Sequence, residues 1–234
     1  MKCVVITGTE VKGCTYNLKE IFLDELKPKS LTEFYLPKDG PDYCTGCKRC
    51  FLEDEGSCPH YDKVGPIWNE MIDADLIIFA YPVYVLRAPG HIKSLLDHFG
   101  VHWFAHRPKP EMFNKTAVII TQSIGAPNRA AQKDVIISME WLGVSRIEKI
   151  GFGMMEGVKW GEISEKRREK FESELRSFAR KFTDISPRPM GIKARLYFQM
   201  SKMMQKGVLK KLPHGKKPER DLQYWIDLGW IKAK

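Results

Sequence analysis

The sequence predicts an α/β protein: a doubly wound, five-stranded parallel sheet followed by a basic, mostly helical extension. Three observations carry that reading. Short β-rich apolar runs alternate with segments of helical period over residues 1–183. The inner runs are apolar throughout, as strands buried on both faces are. The charge is also lopsided, with 12 Lys/Arg against 3 Asp/Glu in residues 186–234 and 26 of each in residues 1–185. The expected division is therefore 1–185 for the sheet domain and 186–234 for the extension.

Each element follows from its residues. "KCVVITG" (2–8) reads as a buried first strand closed by glycine, with Cys3 in the core. Residues 15–26 place apolar side chains at 18, 21, 22, 23 and 26, a helical pattern with Thr15 as its cap. "LTEFYL" (31–36) is a second strand ended by Pro37. Residues 64–74 read as a helix with Pro66 in its first turn. "LIIFAYP" (76–82) is the central strand, and 90–100 a helix after Pro89. A strand at 116–123, a helix at 129–143, a strand at 145–153 and a charged helix at 163–182 complete the order. "ISPRPMG" (185–191) reads as a linker.

No apolar run reaches the roughly 18 residues that span a bilayer. The opening "MKCVVITGTE" lacks the features of a signal peptide, so a cytoplasmic protein is expected. Disulfides are then disfavoured, and clustered cysteines point to metal or redox work.

Ligands of an open α/β sheet sit beyond the carboxyl ends of its strands. The first such loop is "TGTEVKGCTYN" (7–17), with threonines and a glycine at a helix start. Free N–H groups there suit a phosphate, but the loop is neither a Rossmann G-x-G-x-x-G nor a Walker loop. A plain strand–helix connection capped by Thr15 is the competing reading. The third-strand loop, "YPVYVLRAPGH", brings two prolines and two tyrosines, a stiff aromatic wall suited to a flat heterocycle or to core packing. After the fourth strand comes "QSIGAPN" (122–128), where Gly125 permits close backbone approach.

Cys44, Cys47, Cys50 and Cys58 stand as C-x2-C-x2-C-x7-C in the loop after the second strand. Spacing alone leaves an iron–sulfur cluster, zinc, and a loop of free thiols open. Three ligands at i, i+3 and i+6 let one wrapped segment face three corners of a cube, with Gly46 and Gly56 easing the wrap. Structural zinc more often uses two C-x2-C pairs set far apart. His98, His102 and His106 recur every four residues, but Gly100 and Pro108 argue against one helix carrying them all. They are expected near a pocket mouth, with His102 or Trp103 within reach of a substrate.

Taken together, "GTEVKGCT", Pro82–Tyr84 with Pro89–Gly90, and "IKSLLDHF" resemble the NADPH-dependent FMN reductase family, over about residues 1–183. The resemblance implies a flavodoxin-like sheet in the order 2-1-3-4-5, with FMN as cofactor and NAD(P)H as donor. Thr9, Lys12, Gly13, Cys14, Thr15, Tyr16 and Asn17 would hold the phosphate. Pro82, Val83, Tyr84, Val85 and Leu86 would line the isoalloxazine, and Ser123, Ile124 and Gly125 would close the other side. No residue is required as acid or base, because the flavin carries the chemistry. The cysteine spacing resembles the family's iron–sulfur flavoprotein branch, which implies a [4Fe–4S] cluster on Cys44, Cys47, Cys50 and Cys58. The alternative function is a non-catalytic redox or metal sensor that uses the thiol loop.

The extension holds a basic amphipathic helix (191–212) with apolar residues at 192, 196, 200, 203, 204, 208 and 212, then an aromatic end. It suits an anionic membrane, an acidic partner or a second subunit, but the two tryptophans favour docking on the body or on a dimer mate over membrane contact. A homo-oligomer, dimer or tetramer, is expected, with a protein electron donor or acceptor as a further partner. No motif for reading nucleic acid is present.

Overall fold

A computed structural model describes residues 1–154 and 159–232. Five strands, β1 (Lys2–Thr7), β2 (Ser30–Tyr35), β3 (Leu76–Pro82), β4 (Thr116–Ser123) and β5 (Arg146–Gly153), form one parallel sheet in the order β2-β1-β3-β4-β5. The helices are α1 (Cys14–Leu26), α2 (Arg49–Leu52), α3 (Tyr61–Asp73), α4 (Gly90–His98), α5 (Arg129–Trp141), α6 (Glu165–Ala179), α7 (Ile192–Lys211) and α8 (Arg220–Asp227).

The inner strands sort their side chains by the two-residue period of a strand. Val4, Ile6, Ile77, Phe79, Tyr81, Ala117 and Ile119 face one core with α3, α4 and α5. Cys3, Val5, Leu76, Ile78, Ala80, Val118 and Ile120 face the other with α1 and α6. This double burial is why the runs read as continuously apolar. Gly8, just past β1, has no room for a side chain: a Cβ there would lie 2.6 Å from Tyr81 Cβ.

Several boundaries differ from the sequence reading. Helix α1 starts at Cys14 with Gly13 at its cap position, so Thr15 lies inside the first turn and does not cap it. Helix α3 starts at Tyr61, so Pro66 lies in its second turn. The apolar pattern from Val64 onward marked only the part of that helix facing the core. The helix after Pro89 ends at His98 and tightens into a 3₁₀ turn over Phe99–His102.

On the outer face of β2, Lys19 of α1 is wholly buried. Its Nζ lies 2.7 Å from Glu20 and 2.8 Å from both Glu33 and the Tyr35 hydroxyl, which itself donates to Glu33 at 2.5 Å. Burial alone would lower the Lys19 pKa. The hydrogen bonds to Glu20, Glu33 and Tyr35 outweigh that and hold it above its ordinary value.

The extension builds a third, smaller core. Leu222, Trp225 and Ile231 are buried with Phe198, Tyr224 and Trp230 around them. Phe198 and Trp230 reach Phe113 of the body at ring distances of 5.9 and 6.0 Å. Tyr197 stacks on Trp141 at 4.5 Å, and Trp225 Nε1 donates to the His106 carbonyl. No helix among the described residues is long and apolar enough to cross a membrane.

Lys19→Ala leaves Glu20, Glu33 and the Tyr35 hydroxyl without their cation in a partly buried site. It is expected to cost about 3 kcal/mol in urea unfolding. A loss below about 1 kcal/mol, the range of exposed ion pairs, would show that water replaces the ammonium there.

Candidate functional site

The sheet reverses its winding at β1. The chain steps outward from β1 to β2, then returns past β1 to β3 and continues away. A crevice opens at the carboxyl edge where those paths part. It is a cavity of about 500 Å³ lined by three loops. Thr9, Val11, Gly13, Cys14 and Thr15 come from the end of β1 and the start of α1. Pro82 to Leu86 come from the end of β3, and Gln122, Ser123, Ile124 and Ala126 from the end of β4.

Of the fifteen residues expected here, eleven line the crevice. Lys12, Tyr16, Asn17 and Gly125 do not. Lys12 lies over the Tyr16 ring, and Asn17 turns back to donate to the Gly13 carbonyl at 2.8 Å. Gly125 shapes its loop from the backbone, with φ at 74°. Three lining residues were not anticipated. Gln122 accepts a long 3.5 Å hydrogen bond from the Thr15 hydroxyl and so joins the start of α1 to β4. Its place at the end of a buried strand was the available signal. Val11 and Ala126 carry none.

The crevice fits an anionic, flat ligand. Helix α1 has no side-chain cap and no acidic residue in its first turn. Its first-turn N–H groups, those of Thr15 and Tyr16 among them, have no carbonyl of their own helix to bind. Thr9 Oγ1 accepts from the Val11 N–H at 3.1 Å, which leaves its proton to donate outward. Among the described residues, none that lines the crevice is a carboxylate. His91 on α4 holds the loop in place with a ring nitrogen 2.9 Å from the Gly8 carbonyl.

The opposite wall is strained. Val85 and Leu86 have φ of 48° and 64°, and Tyr84 and Arg87 exchange both backbone hydrogen bonds around them. This is a two-residue turn of the type normally built from Asn-Gly, made here with a β-branched residue. Arg87 pairs with Asp134 of α5, which also accepts from the Ala88 N–H at 3.1 Å. That clamp holds Val85 almost fully exposed, at 94%, over the crevice.

The four cysteines of the second loop line one small pocket with Phe51, Pro59, His60 and His98. Cys44 and Cys47 are exposed, Cys50 and Cys58 half-buried, and none is in a disulfide. Gly46 takes φ of 68° to wrap the loop, and Lys48 takes 62°. Gly56 sits in a short 3₁₀ turn capped by Asp54 and needs no such freedom. Burial, then the neighbouring thiols, push Cys50 up; burial does the same for Cys58. Among the described residues no three Cys, His, Asp or Glu converge on a single ion.

The loop is tied from outside its own sequence. Arg107, 5% exposed, donates to the carbonyls of Cys50 and Phe51 and pairs with Glu55 at 3.2 Å and with Asp221 of α8 at 2.8 Å. Ser94 of α4 donates to the Asp42 carbonyl at 2.8 Å. The three histidines gather on this side, not at the crevice. His98 packs edge-on to His60, and His106 bonds Asp221 at 2.7 Å. His102 is buried and stacks on Trp68 at 4.0 Å. Burial holds it neutral, its pKa pushed down to about 3. Trp103 stacks on Trp141. Neither His102 nor Trp103 is placed to meet a substrate at the crevice.

Comparison with known proteins agrees with this geometry. Residues 1–157 match the family described as NADPH-dependent FMN reductase. An iron–sulfur flavoprotein of Archaeoglobus fulgidus is 25% identical over 186 residues, covering 75% of this chain and 83% of that one. Among solved structures, a flavone reductase superposes with a TM-score of 0.60 at 13% identity, covering 100% of this chain and 99% of the other. An FMN-dependent NADH-azoreductase from Bacillus anthracis, in complex with FMN, gives 0.58 at 12% identity, covering 79% and 100%. These structural likenesses establish the fold.

Val85→Gly removes a side chain with almost no contacts from a left-handed position. It is expected to stabilise the flavin-free protein by about 0.5–1 kcal/mol, read from the urea midpoint. An unchanged or lower midpoint would mean that the turn is not strained.

Proposed function

The chain belongs to the NADPH-dependent FMN reductase family and is an FMN redox flavoprotein, and on that footing we propose an NAD(P)H-dependent flavin oxidoreductase that carries a [4Fe–4S] cluster on its cysteine loop. The observation that carries the flavin site is the crevice, with its acid-free helix N-terminus on one side and its rigid Pro82–Leu86 wall on the other. When bound, FMN supplies hydride acceptance and electron transfer onward.

The chain's own residues position that chemistry. The Thr9 hydroxyl and the first-turn N–H groups of α1, that of Thr15 among them, would hold the phosphate, as neutral donors at the positive end of a helix. Pro82, Val83, Tyr84, Val85 and Leu86 would present backbone groups and flat apolar surface to the ring system. Ser123 and Ile124 would border its other side. The Arg87–Asp134 clamp would keep the wall from collapsing into the crevice.

Cys44, Cys47, Cys50 and Cys58 would ligate the cluster. All four line one pocket, and their C-x2-C-x2-C-x7-C spacing suits one wrapped segment facing a cube better than the two separated C-x2-C pairs usual for structural zinc. The two sites share α4. His91 near its start holds the β1 loop, and His98 at its end borders the cysteine pocket, about 10 Å further along the helix. The iron–sulfur flavoprotein name of the Archaeoglobus fulgidus relative supports the same reading. A cytoplasmic setting, a homo-oligomeric state and a protein electron donor or acceptor belong to this proposal.

Anaerobic purification followed by flavin, iron and sulfide assays tests it. The expected result is about one FMN with about four irons and four sulfides per chain. Cys47→Ser should lose the iron and keep the flavin. A chain that takes up no FMN would overturn the flavin site. One that takes up FMN but no iron, and is not bleached by NAD(P)H, would favour the thiol-loop sensor.

A further inference from the structure

Helix α7 is apolar on two sides, and the body covers only one. Ala194, Ser201 and Gln205 are buried against it, Phe198 joins the aromatic core and Tyr197 stacks on Trp141. Ile192, Leu196, Met200, Met203, Met204 and Val208 are left exposed, from 42% at Val208 to 89% at Ile192. Their spacing puts them on one stripe, about 24 Å long at 1.5 Å per residue.

The same helix contains no Asp or Glu. At about 100° per residue, Arg195, Lys202 and Lys206 run along one border of the stripe, and Lys211 stands at its carboxyl end. None of these four has a carboxylate partner among the described residues. Lys193, at the amino end, pairs with Glu140 at 2.6 Å. Four of the extension's twelve basic residues thus stand beside an uncovered apolar ridge.

We infer that this stripe is a docking surface for an anionic lipid bilayer. The ridge runs along one face of a single helix, which fits a plane. Its basic border carries side chains whose stems can lie along acyl chains while their charges reach headgroup phosphates. The complement it needs is negative. A second copy laid on the stripe would bring two uncompensated basic borders together. A protein partner is less well matched, because the aromatic side chains that anchor protein interfaces, Tyr197 and Phe198, are turned to the body. The surface is separate from the crevice and does not depend on whether flavin is bound.

Vesicle flotation with the full chain tests this, using phosphatidylcholine with and without phosphatidylglycerol, alongside light scattering of the protein alone. Binding is expected on the anionic vesicles only, and is expected to weaken with salt. Replacing Lys202 and Lys206 by Gln should lower partitioning about fivefold per residue. The pair Met200→Glu and Met203→Glu should abolish it, with the circular dichroism spectrum unchanged because both side chains are exposed. Equal or no binding to the two vesicle types, or binding untouched by the Met variants, would overturn the inference. So would a solution dimer that the Met variants dissociate, since a second copy would then be the occupant.

Discussion

The structure depends on one topological constraint: the sheet winds both ways from β1. A parallel sheet must cover both faces with helices, and reversing the winding leaves the carboxyl ends of β1 and β3 uncovered between them. Everything chemical follows from that gap. It exposes the first turn of α1, brings the β3 and β4 loops opposite it, and sets α4 alongside. The two apolar layers above and below hold the gap open, because closing it would require strands already packed on both faces to move.

A second tie joins parts that the sheet does not. Arg107 is a buried cation with four acceptors from two segments: two carbonyls and Glu55 in the cysteine loop region, and Asp221 in the extension. A guanidinium in that setting is stabilised only while its partners are present. The extension is therefore part of what shapes the cysteine loop. His106 and Trp225 add to the same junction, one through Asp221 and the other through a backbone bond. The exposed ridge of α7 lies on the far side of this docked unit, so the extension has an inward structural face and an outward one.

Much of this was legible in the sequence, for physical reasons that differ by element. Runs such as "LIIFAYP" can be read because a strand buried on both faces tolerates no polar residue. The cysteine spacing and the Pro-Tyr loop can be read because ligation and stiffness need particular residue types. The ties could not be read. Arg107 to Asp221 and Ser94 to Asp42 span chain separations that no local pattern encodes. The left-handed turn at Val85 and Leu86 contradicts the preferences of its own residues, so only its neighbours' bonds explain it. The periodicity of α7 marked an apolar face correctly, but the helix has two, and the aromatic one at Tyr197 and Phe198 is the one the body takes.

The central claim is that flavin and cluster occupy neighbouring sites on the two loops that α4 joins. A crystal grown anaerobically and measured at the iron absorption edge tests it directly. The account predicts flavin density between Thr15 and Tyr84, and an iron peak enclosed by Cys44, Cys47, Cys50 and Cys58 of the same chain. Flavin bound elsewhere, or a cysteine loop whose only anomalous signal is zinc, would contradict it.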